Sequence, residues 1–123
     1  MLFRSQPPEY YSLCHTGSRF HTQMRLGMCP LNKYLHKINV TNSPACVCGH
    51  PNETISHFLL ECPIYAQDRA ELYNGVESYV ALPTSRMELL HVLLFGDQTL
   101  NTHTNAAIFK CVQIYVVHTK RFA

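Results

Sequence analysis

The sequence predicts a mostly α-helical fold, a small helical domain organised around a short loop rich in cysteine and histidine. Apolar residues recur at helical spacing in several stretches, and three cysteines and one histidine lie within seventeen positions. The chain of 123 residues is 46% hydrophobic and 15% charged, which favours one folded domain over a disordered chain. Residues 1–12 show no periodicity, so we expect a loose N-terminal lead-in over residues 1–16 and a single helical domain over residues 17–123.

The first two helices are predicted from the spacing of apolar residues. Phe20, Met24 and Met28 lie four residues apart, which predicts a helix over about residues 17–28 that Pro30 prevents from continuing. The second helix is short, places its apolar residues on one face and directs its lysines outward. These apolar residues are Leu31, Tyr34, Leu35 and Ile38.

The middle of the chain is predicted to turn sharply before two more helical segments. Residues 42–49 are rich in turn-forming residues, and residues 55–61 follow with helical character. A new helix is predicted to begin at Pro63, because proline is favoured in a first helical turn. It is predicted to end near Tyr73, since the pair Asn74-Gly75 is typical of a helix stop.

Two further helices complete the predicted fold. Ser85 and Glu88 match a capping box, so residues 86–95 are predicted to form a helix that is buried on most sides and ends at Gly96. Residues 105–121 carry a long apolar stripe that favours a helix, although the β-branched run within it makes a strand the alternative. The stripe consists of Ile108, Cys111, Val112, Tyr115 and Val116.

The strongest chemical signal is a C-x-C-x8-H-x4-C pattern within residues 44–63. Three thiolates and one imidazole suit tetrahedral zinc, and four protein ligands leave no open position for a catalytic water. We therefore predict a zinc knuckle in which Zn²⁺ is structural. Its predicted ligands are Cys46, Cys48, His57 and Cys62. The alternatives are an accidental spacing of surface thiols, or His50 as a substitute ligand.

The overall charge of the chain is too small to identify a partner. Ten Lys and Arg residues oppose eight Asp and Glu residues, which gives a net charge of +2. Several basic residues nevertheless lie beside aromatic or histidine residues, a composition that suits a phosphate backbone and stacked bases. The predicted nucleic-acid contacts are Arg19, Arg25, Lys33 and Lys37, and the alternative for these residues is a solvated helix face.

Catalytic and membrane-spanning patterns are missing from the sequence. It contains no Gly-rich phosphate loop, no G-x-S-x-G, no H-E-x-x-H and no D-x-D pair, so we expect no enzyme activity. Its apolar stretches are far shorter than the ~20 residues that span a bilayer, and we see no export signal. We therefore expect an intracellular protein without membrane contact, in the nucleus or the cytoplasm.

A series of motifs along the chain carries a family resemblance. MRLGMCPLN (residues 24–32) is followed by YLH (34–36), SPACVCG (43–49) and ETISHFLLECPIY (53–65). This order resembles the C-terminal region of non-LTR (LINE-type) retrotransposon reverse transcriptases, over about residues 20–122. The resemblance implies a helical, zinc-knuckle-like module that associates with nucleic acid. Nothing resembles the polymerase's acidic motif, the endonuclease or an RNase H domain, so the family's activities are not implied for this chain.

Two functional hypotheses follow from the sequence. The first is a non-catalytic zinc-binding module that contacts RNA or DNA through basic residues near the knuckle. The second is a retroelement remnant in which zinc stabilises a structural or protein-interaction domain without nucleic-acid binding. In that case the predicted helix 86–95 offers an apolar surface to a protein partner. Salt-sensitive nucleic-acid binding that is lost with the metal is expected only for the first hypothesis.

Overall fold

Five α-helices and two short helical turns form the described part of the chain, which contains no strand. The structure is a computed structural model that describes the backbone of residues 8–123 and the side chains of residues 15–123. The prediction of a mostly helical fold is confirmed. The helices are α1 (Pro8–Arg25), α2 (Asn32–Lys37), α3 (Ala66–Glu77), α4 (Arg86–Phe95) and α5 (Thr102–Thr119). A π-helical turn (His57–Glu61) and a 3-10 turn (Pro63–Tyr65) precede α3.

Helix α1 begins earlier than the sequence predicts. Its first residue is Pro8, so residues 8–16, which were predicted to be a loose lead-in, are helical. Proline is favoured in a first helical turn because the backbone N–H that it lacks would have no helical partner there. The two prolines and the missing periodicity are therefore the reason why the start of the helix was predicted too late in the sequence. Residues 1–7 of the predicted lead-in lie outside the described residues.

A glycine turn ends α1 before the predicted end at residue 28. Gly27 has a φ of +73°, in the left-handed region that favours glycine. Its N–H donates to the Met24 carbonyl, and the Met28 N–H donates to the Gln23 carbonyl. These two bonds form a Schellman motif, which closes the last turn of the helix. Met28 was predicted to lie on the buried face, but it lies beyond the helix and is exposed.

The hydrophobic core lies where α1, α3, α4 and α5 meet the π-helical turn. Phe58 on this turn is fully buried, and its ring contacts the rings of Tyr65, Tyr115 and Phe122. The Tyr115 hydroxyl donates to the Phe58 carbonyl, so a polar backbone group inside the core is satisfied. The segment that carries two of the predicted ligands is therefore part of the core.

Two glycines allow α5 to pack closely against its neighbours. A Cβ atom at Gly17 would lie 2.6 Å from the Gln113 Cβ, so α1 and α5 approach closely there. A Cβ atom at Gly75 would lie 2.9 Å from the Cys111 Sγ. The prediction that α3 stops at Gly75 is wrong, because the helix continues to Glu77 and this glycine makes room for α5.

Helix α2 lies at the surface and is anchored at its N-terminus. Of the apolar face predicted for it, only Leu31, which precedes the helix, is buried, and Ile38 is exposed. The backbone N–H groups of Asn32 and Lys33 donate to the side chain and the carbonyl of Glu53, respectively. The predicted face is therefore largely not buried, because this six-residue helix is attached by its first turn.

The last two helices begin at defined caps. Ser85 accepts a hydrogen bond from the Glu88 N–H, and Gly96 ends α4 with a φ of +79°. Helix α4 is buried near its C-terminal end and not on most sides as predicted. The residues that it buries are Val92, Leu93 and Leu94. Helix α5 is continuous, so the strand alternative is wrong. None of the helices that the structure describes is both long and apolar enough to cross a membrane.

Candidate metal centre

The structure brings the four predicted ligand atoms together. The Sγ atoms of Cys46 and Cys62 are 3.7 Å apart, and the Cys48 Sγ is 3.3 Å from the His57 Nε2. All four ligand atoms lie within 4.8 Å of one another, and no disulfide joins the cysteines among the described residues. Zinc–sulfur bonds of about 2.3 Å in a tetrahedron separate two sulfur ligands by about 3.8 Å. The cluster is therefore close enough to bind one metal ion.

A tight loop places the first two cysteines. The Cys46 N–H donates to the His50 carbonyl at 2.8 Å, and the Gly49 N–H donates to the Cys46 carbonyl at 3.0 Å. Gly49 has a φ of +102°, in the region that favours glycine, so the tight loop depends on this residue. Cys46 is buried, whereas Val47 at the tip of the loop is 84% exposed.

The π-helical turn places the other two ligands. The Cys62 N–H donates to the His57 carbonyl at 2.8 Å, five residues back along the chain instead of four. In a regular α-helix, residues five apart point about 140° away from each other around the axis. The wider turn reduces this angle, so both side chains reach the same cluster. π-helical turns are rare and frequently lie at functional sites, and the sequence pattern gave no signal for this one.

His57 presents its Nε2 to the cluster from a buried position. Its ring stacks on the ring of His50, with 4.2 Å between the centroids. Its Nδ1 lies 3.6 Å from the Glu61 Oε1, where a carboxylate commonly orients a metal-binding histidine. Burial and the neighbouring His50 lower the pKa of His57, which favours the neutral imidazole that binds metal.

His57, and not His50, belongs to the group of four ligand atoms that lie within 4.8 Å of one another. The Asn52 N–H donates to the Nδ1 of His50 at 3.1 Å, so this nitrogen is part of the loop's own hydrogen bonding. His50 also belongs to a second group, with His57 and Glu61, that could hold a metal ion. His50 therefore stays the alternative ligand, and its ring contact with His57 supports the site.

The buried thiol of Cys46 and the half-buried thiol of Cys48 differ in acidity. Burial raises the pKa of Cys46 to about 12. A hydrogen bond from the His50 backbone is the main cause that lowers the pKa of Cys48. A metal ion must displace the proton of the Cys46 thiol, so metal binding at this cluster should release protons and weaken at low pH.

A buried ion pair beside the cluster was not predicted from the sequence. Glu53 is 2% exposed, and its carboxylate accepts two hydrogen bonds from Arg121, at 2.7 and 2.8 Å. The carboxylate also accepts from the Asn32 N–H at 2.7 Å and lies 4.0 Å from the Cys46 Sγ. Because Glu53 and Arg121 are 68 positions apart, no local pattern indicates the pair. It fixes the C-terminal turn of the chain to the knuckle.

Arg69 stabilises the segment between the π-helical turn and α3. Its buried guanidinium donates to the carbonyls of Leu59 and Cys62 at 3.1 and 2.6 Å. Backbone carbonyls at a helix end lack partners within the helix, so a buried arginine can satisfy them. Arg69 thereby holds the backbone that carries the last ligand.

The four predicted nucleic-acid contacts occupy different environments. Arg25 donates to a backbone carbonyl of α4 and lies 4.6 Å from the Phe109 ring centroid, so it takes part in the protein's own packing. Arg19 is exposed, and its guanidinium lies over the ring of the next residue. Lys33 and Lys37 are exposed on α2, beside the knuckle. The Lys33 Nζ donates at 3.2 Å to a side-chain oxygen of the knuckle segment, which joins this lysine to it.

Two of the remaining cysteines, Cys29 and Cys111, lie outside the group of four ligands. Cys29 is buried, and Cys111 is half-buried against α3, in agreement with its predicted place on the apolar stripe. The side chain of Cys14 lies outside the described residues.

Fold and site together describe a helical region with a candidate Cys-Cys-His-Cys metal centre, and this region is similar to part of retrotransposon Pol polyproteins. The resemblance to non-LTR (LINE-type) retrotransposon proteins is confirmed. A search of family models gave no match. A search of solved structures also gave no match.

Three relatives illustrate the similarity. The chain is 51% identical over 45 residues to a Pol polyprotein from the type-1 retrotransposable element R1 of Bradysia coprophila. It is 35% identical over 72 residues and 39% identical over 59 residues to Pol polyproteins from elements R1 4 and R1 3 of Nasonia vitripennis. The matches cover 37%, 58% and 47% of this chain, in that order. They span 4%, 18% and 15% of the respective relatives, so the chain corresponds to a small part of each.

Proposed function

We propose that this chain is a non-catalytic zinc-binding module that contacts nucleic acid. The observation that carries the proposal is the grouping of three thiols and one imidazole within 4.8 Å. Soft sulfur ligands with one imidazole favour zinc over the harder ions that prefer oxygen. The proposed ligands are Cys46, Cys48, His57 and Cys62, and the proposed cofactor is Zn²⁺.

The proposed zinc is structural. Four protein ligands complete a tetrahedral coordination sphere, so no position remains at which a bound water could be activated. Because the two halves of the cluster come from a loop and from a core segment, the ion would stabilise the fold that brings them together. We therefore propose no enzyme activity for this chain.

Nucleic-acid contact is supported by the relatives and by the position of the basic residues. The relatives are named as Pol polyproteins of retrotransposable elements. The exposed lysines Lys33 and Lys37 lie on a helix that is hydrogen-bonded to the knuckle through Glu53. The ion would fix the knuckle and, through it, this helix. Removal of the metal should therefore weaken nucleic-acid binding. RNA or DNA as the partner implies an intracellular site of action.

The first test is metal content together with nucleic-acid binding. We expect one zinc per chain in the wild type, loss of the zinc in Cys62→Ala and His57→Ala, and retention in the control Cys111→Ala. Binding to RNA or DNA should weaken with rising salt and should disappear when a chelator removes the zinc. The proposal would be contradicted if the chain binds no zinc, or if the chelator leaves its affinity for nucleic acid unchanged.

A second candidate function is protein binding through α4. Met87 and Phe95 on this helix are 82% and 51% exposed, so they offer apolar surface on which a protein partner could pack. On this alternative the zinc only stabilises the fold. It predicts self-association or capture of a protein partner that Met87→Gln abolishes, together with no salt-sensitive nucleic-acid binding.

A further inference from the structure

A groove of about 280 Å³ lies beside the knuckle. Its walls are the glycine turn after α1, helix α2 and the segment that follows the loop of the first two cysteines. Hydrogen bonds from the first two N–H groups of α2 to Glu53 join two of these walls. The shape of the groove therefore depends on the position of Glu53, whose carboxylate lies 4.0 Å from the Cys46 Sγ of the candidate metal centre.

The charge of the groove is complementary to a phosphate backbone. Lys33 and Lys37 line it, and both lysines are exposed. Glu53 is the acidic residue that lines it, and the bidentate ion pair with Arg121 compensates its carboxylate. The two lysines are four positions apart on one helix, so they lie on the same face. Two lysines and a compensated carboxylate thus line the groove, and the Lys33 ammonium keeps further donors beside the one that it gives to the exposed Asn52 Oδ1 at 3.2 Å.

An aromatic side chain also lines the groove. Tyr34 is half-buried there, and its ring makes no ring–ring contact with any residue that the structure describes. The ring lies between the two lysines in sequence. Aromatic rings beside cationic side chains are the usual combination in sites for unpaired nucleotides, because bases stack on the ring while phosphates contact the cations.

We propose that this groove binds an unpaired base of single-stranded nucleic acid, with Tyr34 as the stacking platform and Lys33 and Lys37 as phosphate contacts. The inference rests on the proposed function and adds the site and the kind of strand. A base inside a duplex is stacked and paired, so it cannot enter a recessed groove unless it is first extruded. The helix that carries the lysines has six residues. In the proposed complex the base enters a groove of the protein, and no protein helix enters a groove of the nucleic acid.

The test is fluorescence anisotropy with the zinc-loaded full chain. The probes are single-stranded RNA and DNA of about 12 nucleotides, within the usual site sizes for such binding, and the matching duplexes. Tyr34→Leu should weaken single-strand binding by roughly 5- to 150-fold, whereas Tyr34→Phe, which keeps the ring, should bind as the wild type. Zinc content and helical circular dichroism, measured in parallel, should be unchanged in both variants.

The lysines have a separate readout and a matched control. Lys33→Gln with Lys37→Gln should reduce the slope of log affinity against log salt by about 1.4, since each lost phosphate contact on a single strand contributes about 0.7. Lys120→Gln removes an exposed positive charge outside the groove and should leave the slope unchanged. A difference between the RNA and DNA probes would report contact with the 2′-hydroxyl group.

Three results would overturn the inference. If binding depends on zinc but Tyr34→Leu and the lysine variants bind as the wild type, the groove is not the site, and the proposed function stands. If duplexes bind as tightly as single strands and Tyr34→Leu has no effect, the specificity for an unpaired base is wrong. If the zinc-loaded wild type binds none of the probes, both the groove and the proposed nucleic-acid function fail.

Discussion

Removal of the Arg121 guanidinium should destabilise the fold around the knuckle, although Arg121 is 68 residues from its partner. In Arg121→Met, the buried Glu53 carboxylate would keep the hydrogen bond from the Asn32 N–H and the 4.0 Å contact with the Cys46 Sγ, but no cation. A buried carboxylate without a cation has lost the interaction that offsets its desolvation. The same change should loosen the attachment of α2, because the N–H of its first residue, Asn32, donates to the Glu53 carboxylate.

The size of this effect can be bounded from the burial of the two partners. Removing one partner of a buried ion pair typically costs about 3–5 kcal/mol. The Arg121 side chain is 23% exposed, so water already screens part of the pair. We therefore expect about 3 kcal/mol, the lower end of the range. Replacing an exposed cation such as Lys120 with methionine should change stability by less than about 0.5 kcal/mol.

The assay is urea unfolding at a fixed concentration of free zinc, because a ligand that binds only the folded state adds to the apparent stability. Arg121→Met, the control Lys120→Met, Glu53→Gln and the double variant Glu53→Gln with Arg121→Met form a double-mutant cycle. Glutamine keeps an acceptor for the Asn32 N–H but carries no charge. The double variant should recover most of the loss seen in Arg121→Met. If Arg121→Met is as stable as Lys120→Met, the reasoning about the buried pair is refuted.

Two further predictions concern the packing between helices. His21 is buried and bonded to the Leu93 carbonyl, and burial lowers its pKa from 6.5 to about 4. The folded state therefore favours neutral His21. The stability that neutral His21 contributes is present above pH 6.5 and is lost as the pH falls toward 4. Between pH 7 and 5, the free energy of unfolding measured with urea should fall by about 2 kcal/mol more in the wild type than in His21→Gln. Equal losses would show that His21 is not the group that titrates. Gly75→Ala should lower the melting temperature, at a cost of about 1–3 kcal/mol, because its Cβ would lie 2.9 Å from the Cys111 Sγ. In a Cys111→Ala background the same change should be neutral or stabilising, and a loss of equal size in both backgrounds would place the cause elsewhere.

Local signals in the sequence were the reliable ones. The capping residue Ser85 and the terminal Gly96 act within a few residues of themselves, and the structure has each in its predicted role. The ligand spacing was equally local, and the structure brings the four side chains into one cluster. Such features depend on the backbone conformation and hydrogen bonds of adjacent residues, so the local sequence is sufficient to predict them.

The errors arose where tertiary contacts override local preference. The local pattern predicts that α3 stops at Gly75, but in the folded chain the helix continues past this glycine, which contacts α5. The apolar side of α2 has the pattern of a buried face, but the helix is held at its N-terminus and buries little of that side. The hydrogen bond that Arg25 donates to a carbonyl of α4 is a further long-range contact that no local pattern indicates. None of these roles can be read from the few residues around them.

The features that sequence reasoning missed depend on long-range partners. Glu53 is an isolated acid in a turn, and its importance becomes visible only when Arg121 is placed beside it. The π-helical turn at His57 follows from the hydrogen bond of Cys62, for which no residue pattern is specific. Core packing of Phe58 holds this turn from the other side.

X-ray absorption spectroscopy of the purified, zinc-loaded chain would test the proposed metal centre most directly. We predict one zinc with three sulfur ligands at about 2.3 Å and one nitrogen ligand at about 2.0–2.1 Å. In Cys48→Ala, a variant of the more exposed ligand cysteine, one sulfur should be replaced by a lighter atom while the nitrogen remains. A shell of oxygen and nitrogen atoms alone, or a spectrum that Cys48→Ala leaves unchanged, would contradict the assignment of these four residues as the metal centre.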